Sequence, residues 1–158
     1  MNHTALGANV ANTTKRNHMV FMDEEHEQFY FEKMRQVRWD DCYHKTLIYL
    51  LGLSEDTRRN FKSIYDIETG CVLPECLHRG WVTSESAKLI RLAFHLYTDK
   101  IPTLDEYRTK DKKIKECCQY TVAELFCCSY APYFWEAIQL RYPEYTTERE
   151  KSLVSLME

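Results

Sequence analysis

Three small groupings in this sequence carry side chains that could do chemistry. Arg38 and His44 stand with five residues between them. A guanidinium that holds an anion beside an imidazole that moves a proton is a pairing suited to a phosphodiester. Cys71, Cys76 and His78 are thiol and imidazole ligands of the kind that hold structural zinc, and four residues separate the two cysteines, within the spacing of a zinc knuckle. Lys88, Arg91 and His95 recur at helical intervals, with Trp81 just upstream, as a binding stripe for an anion or a carboxylate partner.

Each grouping has a plainer reading. No second knuckle of standard spacing follows Cys76. Cys117, Cys118, Cys127 and Cys128 form adjacent pairs, and adjacent helical positions diverge by ~100°, so neither pair turns easily to one ion. Seven cysteines, an odd count without an export signal, read best as reduced, mostly buried thiols that pack as small hydrophobes. The Arg38–His44 spacing is short enough to arise by chance. The Lys88–Arg91–His95 stripe reads as a solvated face unless neighbouring helices cover it, in which case Arg91 needs a partner. No Gly-x-Gly-x-x-Gly and no phosphate-cradling loop occurs, and Asp40 and Asp41 read as capping groups. No cofactor and no metal is therefore expected.

What positions these groups is a helical chain. It has 158 residues, 44% of them hydrophobic and 28% charged, the balance of an ordinary globular domain. Glycine and proline number four each, too few for the tight turns of a sandwich or barrel. The net charge of −3 argues against duplex binding, which needs a basic surface. The run Lys110, Lys112, Lys113 and Lys115 reads as a solvated face. No apolar stretch approaches the ~20 residues that span a bilayer, and no signal-peptide core opens the chain, so a cytoplasmic location is expected. Residues 1–18 are small, polar and aperiodic, which predicts a flexible arm before a single helical domain over 19–158.

Helix starts recur along that domain. Asp23, Asp41 and Ser54 precede periodic segments as N-caps, and Gly52 reads as a residue just past a helix end. Pro74 and Pro132 suit first helical turns. Thr103–Glu106, Thr121–Glu124 and Thr147–Glu150 have capping-box spacing. Residues 108–119 fit helix, loop or strand. In 84–98 the apolar residues cover an arc of roughly 220°, far wider than the ~100° stripe of a surface helix. The expected fold is all-α: one compact bundle of six or seven helices with a central buried helix near 84–98. The helix from Pro132 is apolar almost all round, which points to burial or to docking on another protein or a second copy.

Two resemblances add to this reading. Arg38-x5-His44 resembles the Arg-x(4–6)-His motif of HEPN-type helical ribonucleases, which implies RNA cleavage at a dimer interface; Trp39 stands where that motif has a polar residue. More broadly, "DDCYHKTLIYLLGLSEDTRRNFKSIYD", "GWVTSESAKLIRLAFHLY" and "APYFWEAIQLRYPEY" resemble a family of small, uncharacterised cytoplasmic helical proteins of Firmicutes and their mobile elements. His95 departs from that pattern, where asparagine is usual, which weighs against imidazole chemistry. The resemblance implies a helical domain and a bacterial host and brings no activity with it. The function expected is non-enzymatic: an accessory or protein-interaction protein acting on a host protein, for example an anti-CRISPR type of defence inhibitor. The alternatives are a ribonuclease using Arg38 and His44, and a structural metal protein using Cys71, Cys76 and His78.

Overall fold

The structure, a computed structural model, describes residues 19–102 and 109–145. The expected arm at 1–18 and the capping boxes at Thr103–Glu106 and Thr147–Glu150 lie outside the described residues. Within them the fold is mainly α. In chain order come α1 (Glu24–Met34), α2 (Cys42–Gly52), α3 (Glu55–Arg59), α4 (Phe61–Ile64), β1 (Tyr65–Asp66), β2 (Cys71–Val72), a 3-10 helix (Pro74–His78), α5 (Ser84–Thr98), α6 (Lys110–Cys118), α7 (Val122–Leu125) and α8 (Ala131–Arg141).

The caps follow the sequence chemistry. Asp23 accepts from the His26 amide and Asp41 from the His44 amide, each at 2.8 Å, and Ser54 accepts from the Asp56 amide at 3.2 Å. Asp40 does not cap; it pairs with Lys45. Thr121 accepts from the Glu124 amide to open α7. The box on α5 is Thr83–Ser86, a pair in which serine fills the position usually held by Glu or Gln. The segment after Ser54 splits in two at Asn60, which closes α3 with its amide on the Asp56 carbonyl. That split, with the single-turn α7, takes the helix count among the described residues past six or seven.

The core lies between α2 and α5. Residues Leu47 to Leu51 have no solvent exposure at all, and neither do Leu89, Ile90, Ala93 and Phe94. The α5 residues are buried on a broad face, as the wide apolar arc of 84–98 predicts. Each such aliphatic side chain contributes ~1.5–3 kcal/mol on burial. α2 shares the central position, because it also packs on α1 and α8. Gly52 ends α2 rather than following it, and it is needed for close approach: a Cβ there would lie 2.6 Å from the His26 ring carbon Cδ2. The hairpin β1–β2 is antiparallel, pairing Tyr65 with Val72 and Asp66 with Cys71. Gly70, at φ +70°, makes its tight turn, where its N–H donates a hydrogen bond to the Asp66 carbonyl.

The thiols are not mostly buried. Cys76 is sealed in the core, Cys42 and Cys128 are half-buried, and Cys71, Cys117, Cys118 and Cys127 are exposed. Two of the four exposed thiols belong to α6, which offers Cys117 and Cys118 to solvent and buries only Glu116; Cys71 lies on the two-stranded hairpin and Cys127 follows α7.

Candidate functional site

His44 and Arg38 go to different places. The α2 start turns His44 inward, where its Nδ1 lies 2.8 Å from the Asp41 carboxylate and its Nε2 lies 3.1 Å from the Tyr65 hydroxyl. Tyr97 of α5 closes the group, 3.3 Å from the same Nε2 and 3.0 Å from the Tyr65 hydroxyl, and donates to the Gly70 carbonyl at 3.0 Å. Burial pushes Asp41 up, but the amide and ring hydrogen bonds from His44 outweigh it and hold the carboxyl below its usual range. Burial raises both phenols. Both ring nitrogens of His44 are thus engaged inside a lock joining α2, the hairpin and α5. Arg38 is exposed and lies over the Trp39 ring at 5.0 Å. The pair shares no contact among the described residues, so the geometry offers no joint site for a phosphodiester.

The cysteine grouping is also dispersed. Cys71 is exposed on β2, whereas Cys76 is buried and its thiol is pushed up to about 12, by burial first and then by Glu75. A thiol held neutral is a poor zinc ligand. His78 ends the 3-10 helix. Among the described residues no three His, Cys, Asp or Glu side chains are grouped to hold a metal ion.

The α5 stripe is covered. Its polar side chains form a ladder that holds the α6–α7 region against the body. Glu85 accepts from the Ser129 amide and hydroxyl, and Lys88 donates to the Cys127 carbonyl at 2.7 Å. Arg91 grips Glu116 through two bonds, 2.9 Å and 3.3 Å, with 15% and 7% of the two side chains exposed. The His95 ring meets Tyr120 edge-on at 6.2 Å while its Nδ1 lies 3.0 Å from the Lys100 carbonyl. Trp81, just upstream, is half-buried against the core. Arg91 therefore has the partner that a covered arginine requires. α6 is held by polar contacts, since it buries only Glu116, whereas α7 adds an apolar contact through the buried Leu125.

Beside this ladder, apolar side chains reach the surface among the exposed Thr121 and Glu124. Val122 is 73% exposed and Trp135 61%, and Phe126 lies between them in sequence with its ring 5.2 Å from the Trp135 ring. Val122 and Phe126 are one helical turn apart, so the three form a path from α7 onto α8. α8 buries Phe134, Ala137 and Arg141 and leaves Trp135 outside.

The model of one family, described as a family of unknown function (DUF6075), matches residues 16–153. The chain belongs to that family. No curated protein matches the chain, and no solved structure does. The family match takes in every described element, from α1 to α8, so the α5 ladder and the surface it presents lie within the family's own span. Among the described residues, no helix of this family member is long and apolar enough to cross a membrane.

Sequence reasoning passed over Arg141 and His26. Arg141 is 8% exposed, donates to the Leu96 carbonyl and to Asp99, and stacks on Tyr43 at 3.8 Å and Tyr142 at 4.7 Å. It pins α8 to the end of α5, where Asp99 sits in the left-handed region at φ 56°. The available signal was an arginine within an otherwise apolar helix.

Proposed function

We propose that this protein acts by binding another protein, and that the path Val122–Phe126–Trp135 is the contact surface. The exposure of Trp135 on a helix that buries Phe134 and Ala137 on its inner side carries the reading. An exposed tryptophan beside a half-buried phenylalanine and an exposed valine is a usual centre of a protein interface, where tryptophan is enriched among the residues that dominate binding. Lys88, Arg91 and His95, with Trp81 at the head of α5, serve as the mount: they fix the α6–α7 region so that Val122 and Phe126 stand beside α8. In the narrower form of this reading the protein works in the bacterial cytoplasm, is encoded by a mobile element and targets a host protein, for example as an inhibitor of a host defence system such as an anti-CRISPR protein. The resemblance to small proteins of Firmicutes mobile elements supports that form, as does the acidic balance of the chain.

The test is affinity capture with the full chain beside Val122→Asp/Trp135→Ser. The expected result is one partner at fixed stoichiometry with the native chain, lost from the variant at unchanged melting temperature. Identical protein recoveries from both chains overturn the proposal.

A further inference from the structure

A second surface, which differs in charge from the Trp135 path and adjoins it at Thr121, lies on α6. A shallow groove of about 520 Å³ is lined by Lys110, Lys113, Ile114, Cys117, Cys118 and Thr121. Ile114 is 51% exposed at its centre. None of Lys110, Lys112, Lys113 and Lys115 has an ion-pair partner among the described residues. Glu116, the one buried acid of the helix, is spent on Arg91. This charge arrangement works against α6 itself. Lys110–Lys113 and Lys112–Lys115 are like-charge pairs three apart, and the lysines of the first turn oppose the helix dipole, with Asp111 the one acid there to offset them. A basic island that weakens its own helix, in a chain of net charge −3, is relieved by an anionic partner.

The same chain carries a matching surface. The outer face of α1 forms a groove lined by Glu24, Glu27, Gln28, Phe31, Glu32 and Arg35, all exposed. Phe31 is 47% exposed there, an apolar residue set among carboxylates as Ile114 is set among ammonium groups. Glu27 has no ion-pair partner among the described residues. The geometry points to a second copy of this chain as the occupant: the acidic, aromatic face of α1 in one copy docks on the basic groove of α6 in another. The two surfaces differ, so the contact is heterologous unless a two-fold axis repeats it. Exposed ion pairs are individually weak and the grooves are small, so the association is weak and sensitive to salt. A nucleic acid is the competing ligand for the lysines. The apolar centre at Ile114, in a groove with no aromatic ring among its described lining residues on which bases could stack, favours the protein surface.

Sedimentation of the full chain at high concentration tests this at about 0.01 M and about 0.15 M salt, where the screening length falls from ~30 Å to ~8 Å. The expected result is a mass above one protomer at low salt that returns to one protomer at the higher salt. Lys110→Glu/Lys113→Glu and Glu27→Lys/Glu32→Lys each abolish association alone, and mixing the two restores it, because opposite charges again face each other. All four positions are exposed, so unchanged circular dichroism separates lost docking from lost folding. A native chain that stays monomeric at low salt, or a mixture that stays monomeric, overturns the proposal; so does single-stranded RNA binding through α6 without self-association. Trp135→Ser leaves this association intact while abolishing partner capture, so this inference and the proposed partner surface fail separately.

Discussion

Acidification should destabilise this protein through one buried histidine. His26 has no solvent exposure. Its Nε2 lies 2.7 Å from the Tyr49 carbonyl, and its Nδ1 accepts from the Met22 amide at 3.2 Å, so the ring is held neutral with the proton on Nε2. The rings of Phe21 and Tyr49 enclose it at 5.2 Å and 4.6 Å. Burial is the main cause that lowers its pKa from 6.5 to about 4; the Tyr49 carbonyl and Asp23 pull it back only in part. A second proton would land on Nδ1, against an amide that already donates there. The sign follows from linkage. The unfolded chain takes up the proton near pH 6.5 and the folded chain only near 4. The stabilisation is therefore complete above pH 6.5 and is lost as pH falls towards about 4. At ~1.36 kcal/mol per pH unit the loss amounts to about 3 kcal/mol, a large share of the ~5–15 kcal/mol that holds a typical domain folded. Urea unfolding at a series of pH values measures it, with His26→Gln as the reference. Glutamine keeps a donor for the Tyr49 carbonyl, gives up the acceptor for Met22, and does not titrate. The variant starts less stable, but between pH 6.5 and about 4 the native chain loses stability more steeply. The extra slope is up to ~1.36 kcal/mol per pH unit. Parallel curves for the two chains would refute the assignment.

Two further outcomes follow from packing and from the ladder. Leu92→Ala removes a side chain that is 4% exposed in the middle of α5, and should lower stability by about 2–5 kcal/mol in urea unfolding; an unchanged melting temperature refutes the central placement of that helix. Glu116→Ala leaves Arg91 covered without its partner, so amides of α6 should exchange with solvent faster while α2 keeps its protection; equal exchange in α6 shows that the ladder does not hold it.

Much of the framework was legible because it rests on local chemistry. The wide apolar arc of 84–98 reports a buried helix whatever surrounds it, and α5 spans Ser84–Thr98. Asp23, Asp41 and Ser54 cap because a short polar side chain beside unpaired amides is a local arrangement. Gly52 was legible as a special position but not for its reason, since the His26 ring that requires it lies far away in sequence. The hairpin at 65–72 escaped because its strands are two residues long, too short for any alternation to register.

The site was legible only in part, for the same reason. The sequence alone determined that Lys88, Arg91 and His95 share one side of a helix, because helical periodicity is a property of neighbouring residues. Only the tertiary structure decided that the stripe is covered, with Glu116 on Arg91, and that His44 turns inward to Tyr65 and Tyr97 while Arg38 remains outside. It likewise decided that Trp135 faces water while Phe134 beside it is buried. Residue type sets how strongly a side chain avoids water, but which face of a helix is covered depends on segments distant in the chain, and their meeting is a three-dimensional event.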